Sequence, residues 1–95
     1  MSVKLLILKS YEDVIAEITS EDVFGKWYEI SNPFVTRLEE DNSRVVFYPY
    51  IPLAKDKTIK IPSDWVVAMV EPLDEVKDSY LEKLNGKFEN SDSEE

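Results

Sequence analysis

The feature that most constrains this chain is a change of hydrophobic period at Pro72. Before it, apolar residues come in short runs or strict alternation, the spacing of half-buried strands. A Leu-rich run at 3–9 ends in the polar turn 10–13. Val14, Ala16 and Ile18 then alternate with Ile15, Glu17 and Thr19, and a polar loop at 20–26 carries Gly25. The extended segment 27–38 places Tyr28, Ile30, Phe34, Thr36 and Leu38 on one parity. Its Asn32-Pro33 pair lacks a ladder donor and predicts an edge or a bulge. An acidic hairpin turn follows at 39–43, then a returning strand at 44–51 interrupted by Pro49 and Pro52. Strands at 57–61 and 65–70, joined by a tight turn at 62–64, complete the set.

After Pro72, Leu73, Val76, Tyr80 and Leu84 recur at helical spacing. Pro72 suits a first helical position, Asp74 and Glu75 suit the positive end of the dipole, and Asn85-Gly86 signals a stop. A helix is therefore predicted over 72–87, covering an open end or edge of the sheet or docking on a neighbour. The acidic segment 88–95 reads as a disordered, solvating tail that competes with nucleic acid for lysines in a sharper version. Short strands with short turns fit a small, strongly bent all-β barrel over 1–71 better than a sandwich.

Composition narrows the chemistry. The 95 residues suffice for one domain, with 20 acidic against 11 basic side chains and a net charge of −9. Cysteine and histidine are absent, which excludes disulfides, thiolate zinc sites and histidine triads. Glu12-Asp13, Glu21-Asp22 and the Glu39, Glu40, Asp41 group fall in predicted turns, without the apolar burial that a general acid needs. A calcium or magnesium site at 39–42 lacks loop spacing and a glycine. The expectation is a non-catalytic protein with no metal and no cofactor. The apolar runs at 5–8 and 65–70 are far too short to span a bilayer, and residues 1–4 lack a signal-peptide pattern. A cytoplasmic protein without membrane contact is expected.

One stretch opposes the overall charge. Between residues 42 and 63, Arg44, Lys55, Lys57 and Lys60 face only Asp56, and Tyr48 and Tyr50 lie among them. Cations interleaved with rings suit sequence-tolerant binding of single strands. Lysines on exposed edge strands also prevent aggregation, which is the competing explanation. Trp27, between Lys26 and Tyr28, is a candidate base platform; Trp65, alternating with Val67 and Met69, reads as core or subunit interface.

Two segments resemble the Sm motifs. Residues 5–18, LLILKSYEDVIAEI, are similar to the first motif, and residues 59–69, IKIPSDWVVAM, to the second. The chain is also similar, nearly end to end, to small Sm-like proteins of marine metagenomes and probable cyanophage origin. The residues that carry this are Ser31-Asn32-Pro33-Phe34, Pro49-Tyr50-Ile51-Pro52-Leu53-Ala54-Lys55-Asp56, Ile61-Pro62-Ser63-Asp64-Trp65-Val66-Val67 and Tyr80-Leu81-Glu82-Lys83-Leu84-Asn85-Gly86. The resemblance implies a five-stranded Sm-like barrel of the SH3 type and a homo-oligomeric ring of five to seven subunits. It also implies single-stranded RNA or DNA at loops lining the pore, in phage or host nucleic-acid processing. On this reading Arg44, Lys55, Lys57 and Lys60 hold phosphates, Trp27 or Tyr50 stacks bases, and Lys26 and Ser63 lie near the pore. Pro62 and Ser63 stand where the second motif carries arginine and glycine, and the helix is C-terminal where the family's is N-terminal. The alternative is therefore an oligomeric structural or protein-interaction module that has lost the RNA site.

Overall fold

Alternation in the first 38 residues becomes an antiparallel meander. The structure, a computed structural model, describes residues 2–39 and 44–93, with side chains as far as residue 85. Strands β1 (Ser2–Leu8), β2 (Asp13–Glu21) and β3 (Trp27–Leu38) are followed by β4 (Val45–Pro49) and β5 (Thr58–Pro62). A 3-10 turn, Ser63–Trp65, leads into β6 (Val66–Val70), and one helix, α1 (Asp74–Ser93), follows. The six strands form one antiparallel sheet in the order β4-β3-β2-β1-β6, with β5 also on β3. The chain is thus mostly β with a C-terminal helix. The sheet is not closed: among the described residues β6 pairs only β1, and β4 and β5 pair only β3.

The strands expected at 44–51 and 57–61 form as β4 and β5 and share one partner. β4 pairs Phe34 to Leu38 of β3, and β5 pairs Trp27 to Ser31, so both run along the same edge of β3. Residues 50–57 leave that edge between them. The excursion is fastened at each end, Tyr50 N–H donating to Pro33 O (3.0 Å) and Asn32 N–H to Lys57 O (2.7 Å).

Opposite the excursion, β3 changes parity. Asn32 sits at φ 51°, a left-handed conformation that Asn tolerates better than most residues. On β2 the register steps from Ile15 to Glu17 while on β3 it steps from Phe34 to Ser31, so β3 carries one extra residue. Asn32-Pro33 is therefore a bulge in a strand paired on both sides, not an edge. Tyr28, Ile30 and Phe34 do not share a face, as strict alternation predicted. Ile30 joins one cluster with Leu6, Leu8, Val14, Ala16, Val35 and Ile61, whereas Phe34 joins Ile15, Phe47 and Tyr80 in another.

The first cluster is enclosed by the bent sheet; the second lies under α1 on the sheet's other face. Val76, Tyr80 and Leu84 pack there, but Leu73 of the predicted stripe is exposed. Tyr80 is fully buried, edge-on to Phe34 with ring centroids 6.1 Å apart. Its hydroxyl donates to Asn32 O at 2.8 Å, so the helix grips the bulge itself. Burying each large side chain of this kind stabilises the fold by about 1.5–3 kcal/mol.

The helix begins at Asp74, with Lys77 N–H closing on Leu73 O, and does not stop at Asn85-Gly86. Residues 88–93 of the expected disordered tail continue the backbone of α1, and residues 94–95 lie outside the described ones. No helix among the described residues is long and apolar enough to cross a membrane.

Candidate nucleic-acid interface

Antiparallel pairing of β3 with β5 builds the most organised group of the predicted site residues. Trp27 lies opposite Pro62 and Glu29 opposite Lys60, so these side chains share a face. Lys60 Nζ sits 4.4 Å from the Trp27 ring centroid, a cation–π contact. Beyond the strand ends, Ser63 ties two loops together. Its N–H donates to Lys26 O at 2.9 Å and its hydroxyl donates to Gly25 O. The β2–β3 loop is itself closed by Gly25 N–H to Asp22 O (2.9 Å), with Gly25 at φ 71°, a conformation that costs glycine little. Lys26 is exposed at its edge, its backbone N–H donating to Asp22 Oδ2 at 3.2 Å. Lys26, Trp27, Lys60 and Ser63 therefore form one constellation from two separated stretches of sequence, 26–27 and 60–63.

The other four predicted residues lie elsewhere. Arg44 is at the far end of β3, where its Nε donates to Glu39 Oε1 at 2.7 Å. Lys60 pairs at position 29 and Arg44 closes on position 39, ten residues of β3 apart, or roughly 30 Å of extended strand. Lys55 and Lys57 are exposed on the excursion. Tyr50 is half-buried against the inner cluster, and burial, then Glu12, pushes its phenol up from the ordinary range. It is wall, not an open stacking platform. Trp65 is partly exposed, and the stripe expected for it is broken because the β1–β6 register skips Val67. Met69 alone of that trio packs on the core.

The local field is not basic. Glu29 lies opposite Lys60 in the register, Asp22 holds the Lys26 backbone, Asp64 follows Ser63, and Thr19 Oγ1 donates to Glu29 Oε1 at 3.0 Å. Among the described residues no charged side chain is fully buried and no three acidic residues cluster as metal ligands. Residues 40–42 of the considered cation loop lie outside the described ones. Among the described residues the Glu71 carboxyl is held low by its hydrogen bond and charge contact with Lys4.

Two features had no place in the sequence reading. The loop read as polar presents Val23 and Phe24, 89% and 80% exposed, at its tip; adjacent apolar residues just before Gly25 were the available signal. A cavity of about 520 Å³ opens beneath the 50–57 excursion, its wall including Asn32, Tyr50, Ile51, Ala54 and Leu84. The chain matches no protein-family model and no curated protein.

Proposed function

We propose that this chain is a non-catalytic, Sm-like ring protein that engages single-stranded RNA or DNA weakly at the joined loops beside Trp27. The observation that carries the reading is the tie between the loop after β2 and the turn before β6, made by Ser63 next to the Trp27–Lys60 pair. Those are the two loops at which the resembled family meets RNA. Trp27 supplies a stacking face once Lys60 turns to a phosphate, and Lys26 supplies a second cation. Arg44 and Tyr50 have no part in this site, and Lys55 and Lys57 lie outside it.

Ring closure is supported by the open edges. β6, VVAMV, carries no charge and leaves one edge unpaired among the described residues, which natural strands avoid unless the edge is covered. Pairing it with the β4–β5 edge of another copy is a head-to-tail contact, which closes when the rotation permits. A ring then repeats the Lys26–Lys60 site and raises avidity without new contacts.

The carboxylates of Asp22, Glu29 and Asp64 beside the site favour the second reading, a ring used only for assembly or for protein partners. Labelled oligo-U and oligo-dT, titrated at two salt concentrations with light scattering on the same sample, separate the two. The nucleic-acid reading expects binding by a large species, steeply weakened by salt, lost in Lys26→Glu with Lys60→Glu and kept in Arg44→Glu. No binding at low salt by an intact oligomer leaves the assembly reading. A monomer at all concentrations removes the ring.

A further inference from the structure

The apolar tip of the β2–β3 loop is exposed yet firmly held. Asp22 N–H donates to Trp27 O, Gly25 N–H to Asp22 O, and Ser63 donates to both Gly25 and Lys26 carbonyls. A tip fixed by this many bonds loses little freedom on docking, so it is a preorganised knob. The cavity under the 50–57 excursion is its counterpart in kind. About 520 Å³ is ample for a phenyl and an isopropyl group, and Pro33, Ile51, Pro52, Ala54 and Leu84 give it an apolar wall. Glu21 and Asp22 stand at the base of the tip, and the excursion is net basic, Lys55 and Lys57 against Asp56, with Glu17 the other acid in the cavity wall. The tip does not serve its own cavity. It projects beyond Trp27, whereas the cavity lies at Asn32, five residues into β3, or about 17 Å away along the strand.

We infer that Val23 and Phe24 of one copy insert into the excursion cavity of the next, with Glu21 and Asp22 against Lys55 and Lys57. The contact is head-to-tail, so each copy offers one knob and one hole. This inference rests on the ring reading and adds a contact distinct from edge pairing. It also explains why Lys55 and Lys57 are set apart from the Trp27 group.

Phe24 is largely exposed, so Phe24→Ser leaves the fold intact and tests only the contact. Light scattering across a dilution series should show the wild-type oligomer and at least a tenfold rise in the concentration at which F24S dissociates. The chain has no native cysteine, which permits a direct test. Phe24→Cys with Ala54→Cys should give a ladder of covalent multimers under mild oxidation, reversed by reductant. An F24S oligomer as tight as wild type, or a double variant without a ladder, overturns the inference while leaving the ring. A monomeric wild type overturns both.

Discussion

The two halves of β3 do opposite things with the same alternating pattern. From Trp27 to Ser31 the strand sends Ile30 into the cluster enclosed by the sheet and shows Trp27 and Glu29 on its other face beside Lys60. From Phe34 to Leu38 it sends Phe34 outward under α1 and Val35 inward. One extra residue at Asn32-Pro33 accounts for the reversal, since side chains alternate with period two. A single strand thereby serves two cores and still leaves one face free for a site. Parity is a property of the segment between bulges, not of the strand.

The largest test of this contrast is to empty each core in turn. Leu6→Ala, in the enclosed cluster, should lower unfolding free energy by about 2–5 kcal/mol, and Tyr80→Ala, under the helix, by about 3–5 kcal/mol. Denaturant melts followed by far-ultraviolet circular dichroism should separate them: Tyr80→Ala loses helical signal first, and Leu6→Ala shifts one common transition. If both simply shift the same transition, the two clusters act as one core. Next in size is the bulge. Asn32→Val places a β-branched residue at positive φ and should cost about 1–2 kcal/mol, whereas Asn32→Gly should stay close to wild type. Equal losses for both would mean that the Asn32 side chain, which reaches Glu17 Oε1 at 3.4 Å, matters more than its backbone.

Removing the Tyr80 hydroxyl is a smaller change. Tyr80→Phe keeps the ring but leaves Asn32 O without that donor, a loss of about 1–2 kcal/mol. Its pH signature is distinctive. Burial foremost, with Glu17 nearby, raises the Tyr80 phenol well above its ordinary value in the folded state. The folded state then holds the proton longer than the unfolded one, so the stability is complete below about pH 10 and falls above it. The gap between wild type and Y80F in melts should therefore shrink as pH rises past about 10. The smallest effect belongs to the exposed Lys4–Glu71 pair, where Lys4→Met should leave the melting midpoint unchanged within error, in low salt or high.

Strand positions, the turns near 10–13 and 62–64, and the helical face of Val76, Tyr80 and Leu84 were legible because each depends on local period and turn chemistry; the turn expected at 39–43 lies largely outside the described residues. The parity switch was not: Asn32-Pro33 announces an irregularity, but whether it is an edge or a bulge is decided by what pairs on either side. The site shows the same division. Grouping Arg44, Lys55, Lys57 and Lys60 by nearness in sequence joined residues that β3 spreads along its length. The actual neighbours of Lys60, namely Trp27 and Glu29, follow from strand register, which only the fold supplies. Val23-Phe24 was readable in principle, as two adjacent apolar residues in an otherwise polar loop.

The place of β1 between β2 and β6 also sets an order of events during synthesis. Its β2 side can be zipped once residue 21 has emerged, but its other side must wait for residues 66–70. Ile15 and Phe34 stay uncovered longer still, until Tyr80 leaves the ribosome. A nascent chain stalled before that point carries a bare apolar face and an unzipped strand, the two features that chaperones recognise and that drive aggregation. The last quarter of the sequence, which adds no strand, is therefore the part that ends this exposure.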